Sequence, residues 1–453
     1  MNDEQRLMDE ADRRASGYLQ GIGGRRPYPG PEALAGLAAF DEPLPQQGHD
    51  GLGTLALLDQ AGSPATVASN GPRYFGFVIG AALPAAAAAD RLLLAWDQAA
   101  STFDSSPVSA TVERVAAAWL LEILDLPRGS GVGFGTSATA GTVACLATAR
   151  RALLARAGWD LDRDGLAGAP AIKVVLSATA HIAVRKAVRV LGFGSAQVIE
   201  APVDAFGRVD PQRLPALDDR TLLCLQAGEV NTGEFDPFSD IIPHAKRAGA
   251  WVHVDGAFGL WARASSLHPL TAGVDAADSW TTDGHKWLNT PYDGAVAVCR
   301  DADALAQALN SDAAYAQSSR DAQKNLTLEF SRRPRGIAIW AALRTLGRDG
   351  VAAMVEQHCA YASALAQTLR GAGFEVLNRV VLNQVLVRCA DDAQTVAVRQ
   401  AVIDSGAAWF GASLWQGRPA FRISVSSWRT GPADMAQLAA ALTQALRACA
   451  AEQ

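Results

Sequence analysis

Residues 279–293 read SWTTDGHKWLNTPYD, and they place His285 and Lys286 side by side in a polar turn. Upstream, residues 250–260 (AWVHVDGAFGL) rise through small and apolar side chains to one acid, Asp255, where a strand is expected to end. A lysine amine partly desolvated between apolar strands becomes a nucleophile toward an aldehyde. A carboxylate fixed on a neighbouring parallel strand can partner a protonated ring nitrogen. Those two groups are what pyridoxal 5'-phosphate requires: a lysine that bonds its aldehyde, and an acid that keeps the pyridine protonated so that the ring accepts electrons.

Both residues need a frame. From residue 171 short apolar runs (IKVVLS, QVIEAPV, TLLCLQAG, WVHVDGAF, AVAVCRD) alternate with amphipathic segments such as HIAVRKAVRVLG and PFSDIIPHAKRAG. Strands this apolar imply an α/β class with a mainly parallel sheet covered on both faces, and functional groups at the strands' carboxyl ends. Past Arg300 the pattern changes to a predicted helix over 302–316, a polar stretch QSSRDAQKNLTL (317–328) and a long helix through Gly371. A smaller α+β region follows. It comprises strands FEVLN and QVLVRCA, a helix over 393–404, a hairpin-like pair AAWFGASLW and AFRISVSSW, and a closing helix over 432–448. At the other end an amphipathic helix over 4–18 leads into a Pro/Gly-rich segment. The expected divisions are an arm (1–65), a large domain (66–330) and a small C-terminal domain (331–453).

Other candidates fall within this frame. Residues 131–150 (GVGFGTSATAGTVACLATAR) run from glycines and hydroxyls into a helical pattern, leaving backbone N–H groups aimed at whatever precedes the helix. Such amides bind phosphate, although a small-residue run also serves tight helix packing. His181 follows a strand at a helix start, a place for a cap or for contact with a cofactor. In GEVNTGEFD (228–236), Asn231 and Gly233 supply turn geometry. Arg422, in FRISVSSWRT, can hold two carboxylate oxygens at once, with Arg332, Arg333 and Arg429 as competitors and an exposed strand charge as the plain alternative. Tyr74, Phe75, Phe77 and Phe103 suit an apolar or aromatic substrate side chain, or ordinary packing.

Bulk properties exclude several classes. The chain has 453 residues, 49% hydrophobic and 19% charged, with net charge -6 and pI near 5.7, so neither nucleic acid nor an anionic membrane is an expected partner. The alanine-rich run at 81–89 is interrupted by Pro84 and closed by Asp90 and Arg91, too short for a bilayer span. The first residues, MNDEQRLMDEADRR, lack a signal peptide's apolar core, and a cytoplasmic location is expected. Six cysteines stand singly without CxxC, and seven histidines form no HxxxH pair, so no metal site is expected. A dinucleotide-dependent dehydrogenase should open with a glycine fingerprint, and no such unit starts here. A relative retained only for binding would have no use for both Asp255 and Lys286.

HVDGAFGLW followed by ADSWTTDGHKWLNTPYDG resembles the pyridoxal phosphate-dependent group II amino acid decarboxylases, which include the aromatic amino acid, glutamate and diaminobutyrate enzymes. The resemblance runs roughly from Pro72 to Thr430. It implies the fold-type I, aspartate aminotransferase-like architecture, a large domain with a seven-stranded sheet plus a small C-terminal domain. It also implies a homodimer with its active site at the subunit interface and an N-terminal arm wrapped around the partner. By resemblance, Lys286 is the Schiff-base lysine and is displaced by an L-amino acid that then loses carbon dioxide. Asp255 partners the ring nitrogen, Ala180 and His181 match the pair at the ring face, and Ala138 with Thr139 falls where the phosphate is held. Asn231 lies near a cofactor-contacting threonine of the relatives. His285, beside the lysine, is expected either to bridge phosphate or substrate or to make a purely structural hydrogen bond. Tyr74, Phe75, Phe103 and Arg422 fall on the substrate side. The chain departs from the family at Gly71, usually histidine, and at Ala140, usually glutamate. It also has no tyrosine between Gln317 and Arg332, where relatives carry the proton donor; Tyr315 is nearest. That departure leaves an aldehyde synthase, an aldolase or an aminotransferase as alternative outcomes on the same fold.

Overall fold

The computed structural model describes residues 3–310 and 322–451. Two compact units are present: residues 82–363 with 378–384, and residues 1–81 with 364–377 and 385–453. These bounds differ from the divisions read from the sequence. Residues 331–363 belong to the larger unit, and the N-terminal 81 residues group with the C-terminal part of the chain.

In chain order the strands are β1 (Tyr74–Phe75), β2 (Gly131–Gly135), β3 (Lys173–Ser177), β4 (Val198–Ala201), β5 (Thr221–Gln226), β6 (Trp251–Asp255), β7 (Ser279–Asp283), β8 (Ala295–Cys299), β9 (Glu375–Val376), β10 (Gln384–Arg388), β11 (Trp409–Trp415) and β12 (Arg418–Ser424). In the larger unit, seven strands form one sheet in the order β2-β8-β7-β6-β5-β3-β4. The β3–β4, β3–β5, β5–β6 and β6–β7 pairs are parallel, while β8 runs against both β7 and β2. Every residue of β5, β6, β7 and β8 is buried. Strands buried on both faces have no polar alternation, which is why β5 and β8 read as apolar runs, whereas β7 (SWTTD) is buried although mostly polar.

Strand β2 is the element that the sequence hid. Its run of glycines reads as a loop, because β-propensity rests on branched side chains that this strand does not have. The reason is steric: a Cβ at Gly133 would sit 1.9 Å from the Leu326 carbonyl oxygen. The Gln323 side chain closes the same edge, donating to the Val132 carbonyl and accepting from the Phe134 N–H, both at 3.0 Å. The helix that follows, Ala138–Arg156, lies against the sheet so closely that a Cβ at Gly141 would come within 3.2 Å of the Thr281 methyl.

The other unit carries the five-stranded sheet β1-β11-β12-β10-β9, with β11 and β12 antiparallel and β1 parallel to β11. The helices Asp392–Ser405 and Pro432–Ala451 match those expected from the sequence pattern. Helix Ala302–Leu309 is shorter than expected; the rest of that segment, Tyr315 with it, and the start of the polar stretch lie outside the described residues. Gly336–Gly371 is bent at Gly347, whose φ is +62°.

A fully buried ion pair ties the larger unit together. Arg332 donates to both Glu113 oxygens at 2.7 and 2.8 Å and to the carbonyls of Ala100 and Phe134 at 2.8 and 2.9 Å, while the Gly336 N–H caps Glu113 at 2.9 Å. Arg332 is therefore committed to structure, and exposed Arg333 is bonded to Asp90. Removing one partner strands a buried charge, so Arg332→Met should cost about 3–5 kcal/mol, read as a lowered urea midpoint. Adding Glu113→Leu to that variant should restore most of the loss; an unchanged midpoint in the single variant would refute this role.

Candidate active site

Strand register brings the candidate residues to one edge of the sheet. Asp255 is the last residue of β6 and stands opposite Gln226 on β5 and Thr281 on β7. Gly135, the last residue of β2, and Asp283, the last of β7, are both opposite Ala295. Because β2, β3, β5, β6 and β7 run in one direction, their carboxyl ends share this edge. The loops leaving them carry the start of the Ala138–Arg156 helix, His181, Asn231, and the turn bearing His285 and Lys286. This is where an open α/β sheet builds its binding crevice.

At that edge the Asp255 carboxylate is 8% exposed, and one oxygen accepts the Ala257 N–H at 3.1 Å. A carboxylate this buried calls for a cationic partner. The Lys286 amine lies 3.5 Å from an oxygen of Asp283, itself only 2% exposed. His285 Nε2 is 3.7 Å from the same oxygen, and its Nδ1 accepts the Gly294 N–H at 3.2 Å. Burial lowers the His285 pKa, with Asp283 pulling the other way, so the ring is neutral at neutral pH and Nε2 carries its proton. The Tyr292 ring stacks on it, with centroids 4.2 Å apart. Behind the lysine, the Trp287 indole donates to His358 Nδ1 at 2.9 Å, a buried tie that fixes the turn.

Ser137 caps the Ala138–Arg156 helix, its side chain accepting the Ala140 N–H at 3.2 Å. Helix geometry leaves the N–H groups of Ala138 and Thr139 without intrahelical acceptors, so they can serve a phosphate. His181 is the N-cap of helix Ile182–Val190, with Nδ1 accepting the Ala183 N–H at 3.2 Å. The cap reading is thus correct for Nδ1, and it fixes the plane in which the ring stands. Asn231 sits in a turn that is not solvated: the buried Glu229 carboxylate accepts its backbone N–H at 2.8 Å, its side-chain amide at 3.2 Å and the Thr232 N–H at 2.7 Å.

The remaining candidates divide between the two units. Phe103 is 61% exposed and lines a cavity of about 720 Å³ together with Arg114 and Gln323, whereas Lys286, Asp255 and His181 do not line it. In the other unit, Phe75 is wholly buried, Tyr74 stacks on Trp409 at 4.8 Å, and Arg422 on β12 is 8% exposed opposite Gly411. Burial of Arg422 removes the reading of an exposed strand charge. Sequence reasoning passed over Asp283, Tyr292 and Glu229. An acid ending the buried run SWTTD, three residues before a lysine, was the available signal for the first.

With the geometry in hand, comparison with known proteins is decisive. The model described as "Pyridoxal-dependent decarboxylase conserved domain" matches residues 62–389. The chain belongs to that family. It is 28% identical over 430 residues to L-2,4-diaminobutyrate decarboxylase of Rhizobium meliloti (strain 1021), covering 88% of this chain and 83% of that one. It is 29% identical over 330 residues to tryptophan decarboxylase 1 of Oryza sativa subsp. japonica, covering 66% of this chain and 63% of the relative, less than two thirds of its length. Among solved structures, Oryza sativa TDC with PLP and tryptamine superposes with a TM-score of 0.91 at 22% identity, over 99% of each chain. The fold is therefore that of the fold-type I pyridoxal phosphate enzymes, as the motifs implied, and pyridoxal phosphate is the family's cofactor.

The residues present fit that cofactor. An amine for the aldehyde, a buried carboxylate for the pyridine nitrogen and two amides at a helix start for the phosphate share one edge. Thr281 Oγ1, on the strand beside Asp255, is buried without a hydrogen-bond partner among the described residues.

His253 lies two residues before Asp255 on the same face of β6, wholly buried, with Nδ1 3.0 Å from Ser279 Oγ. Burial pushes its pKa down to about 4, against a lesser upward pull from Asp255. Its folded pKa is below its unfolded value of about 6.5, so the stability tied to its neutral form is present above that pH and is lost as pH falls toward 4. Between pH 6.5 and 4.5 the native chain should lose about 2 kcal/mol more stability than His253→Gln, as read by urea unfolding. Equal losses would show that His253 is not held neutral.

Proposed function

We propose that this protein is a pyridoxal phosphate-dependent carboxy-lyase that removes the α-carboxyl group of an L-amino acid with an apolar or aromatic side chain. The observation that carries this reading is the convergence of Lys286, Asp255 and the Ala138–Thr139 amides on one carboxyl edge of the parallel sheet. When bound, pyridoxal phosphate supplies an electron-accepting ring into which the electrons of the breaking carbon–carboxyl bond flow. Lys286 is the amine that holds the cofactor covalently and gives way to the substrate's amine. Asp255 receives a pyridinium N–H in a buried setting where a fixed charge counts for more than in water. The amides of Ala138 and Thr139 take the phosphate, His181 holds the ring face, and Asn231 keeps the facing turn in place. Neutral His285 offers its Nε2–H on the Asp283 side.

The preference for an apolar or aromatic side chain is supported by Tyr74, Phe75 and Phe103, and the α-carboxylate clamp by Arg422, each through resemblance to the family. A homodimer with a wrapped N-terminal arm and a cytoplasmic location belong to the same reading. Among the described residues no helix is long and apolar enough to cross a membrane.

Two measurements test the proposal. The purified chain incubated with pyridoxal phosphate and then reduced with borohydride should carry the cofactor on Lys286, and Lys286→Ala should carry none. A panel of L-amino acids with carbon dioxide, amine and aldehyde quantified should give carbon dioxide and amine together. A keto acid or cleaved aldehyde without carbon dioxide would overturn the carboxy-lyase assignment.

A further inference from the structure

We propose that Asp283 is the proton acceptor of the Lys286 amine, the group that converts the lysine from ammonium to nucleophile and returns the proton when the lysine is released. The inference rests on the reading of Lys286 as the cofactor-bonding residue, and it concerns a side chain for which nothing in the family motif assigned a task.

Asp283 closes β7, and its backbone is fixed on both sides. Its N–H donates to the Ala257 carbonyl at 2.9 Å, and its own carbonyl accepts the Trp261 indole N–H at 3.2 Å. The carboxylate is 2% exposed, with Oδ2 3.5 Å from Lys286 Nζ and 3.7 Å from His285 Nε2. Oδ1 is buried and has no hydrogen-bond partner among the described residues. A carboxylate placed only to anchor the turn would have both oxygens bonded, as Glu113 and Glu229 do. Leaving half of a buried carboxylate unbonded is costly, and such sites persist where the group exchanges protons.

The titratable groups facing it are Lys286, His285 and Tyr292. Burial, helped by the Asp283 charge, pushes the Tyr292 phenol up to about 12, and the one lone pair of the His285 ring, on Nδ1, already accepts the Gly294 N–H, so neither takes the lysine's proton. A lysine ammonium has no lone pair and cannot add to an aldehyde. In the step proposed, one proton passes from Nζ to Asp283 Oδ2; the N–H electron pair stays on nitrogen and bonds the aldehyde carbon, and the aldehyde oxygen leaves as water with the two protons that remain on Nζ. On release the proton held by Asp283 returns to Nζ, and no redox partner is needed.

The test follows covalent capture rather than turnover. The full chain freed of cofactor is mixed with pyridoxal phosphate, quenched with borohydride at intervals, and the labelled fraction of Lys286 is read by mass spectrometry across pH. In the native chain capture should be nearly flat around neutral pH. In Asp283→Asn it should be slower by about 10²-fold at pH 7, a typical loss for a positioned base, and should climb with pH and with added imidazole. Asp283→Glu should keep the flat profile. Binding of pyridoxine 5'-phosphate, which has the ring and phosphate but no aldehyde, should be the same in native and D283N chains by tryptophan fluorescence.

Native-like capture by D283N, or parallel loss of pyridoxine phosphate binding, would overturn the role. If D283N does not fold, the native chain decides: an internal base makes its capture rate independent of imidazole, and a rate that rises with imidazole overturns the proposal. A native chain that never labels Lys286 fails at the earlier reading of the cofactor lysine, a result separate from any of these.

Discussion

The burial of charge at the carboxyl edge of a parallel sheet is the constraint from which the rest of this molecule follows. Asp255 and Asp283 close the neighbouring strands β6 and β7 at 8% and 2% exposure. Burying a carboxylate is costly unless a cation or a set of N–H donors faces it. The Lys286 amine meets that need at Asp283, and a pyridinium nitrogen would meet it at Asp255. The energetic demand and the proposed catalytic arrangement thus call for the same groups.

Around this edge the scaffold is built to prevent relaxation. The turn bearing the lysine is pinned by the Trp287–His358 hydrogen bond and by the Gly294 amide on His285. The turn after β5 is organised by Glu229 from within, and Arg379 donates through Nε and Nη2 to both oxygens of the neighbouring Glu234. Arg332 and Glu113 link the segment near residue 100, the carboxyl side of β2 and the start of the Gly336–Gly371 helix. Each device satisfies buried polar groups locally, so positions at the edge are held without strain being passed to the reacting side chains.

The functional groups divide by chemistry. His181 and His285 both accept a backbone N–H at Nδ1, which sets the tautomer and leaves Nε2–H as the group each can offer. His253 is buried deeper and neutral, filling space behind Asp255 rather than exchanging protons at neutral pH. The cysteines behave as small hydrophobes; burial pushes the Cys145 thiol up to about 12, far from reactivity.

Strand runs, helix periodicity and the Asp255–Lys286 pair were legible in the amino-acid sequence, because apolar periodicity and a charged residue at the end of an apolar run are local properties. The family motif added the cofactor and drew attention to the start of the Ala138–Arg156 helix. What the sequence could not reveal depends on distant residues. Gly131–Gly135 is a strand because it pairs with β8, and position 133 is glycine because the Leu326 carbonyl occupies the space of a side chain there. Arg332 is a structural cation only because Glu113 comes to meet it. Asp283 is a neighbour of the lysine amine only because a turn folds Nζ back toward the strand end. Register, which places Asp255, Asp283 and the start of the Ala138–Arg156 helix on one edge, is likewise set by strand pairing across long stretches of chain, and no local pattern encodes it.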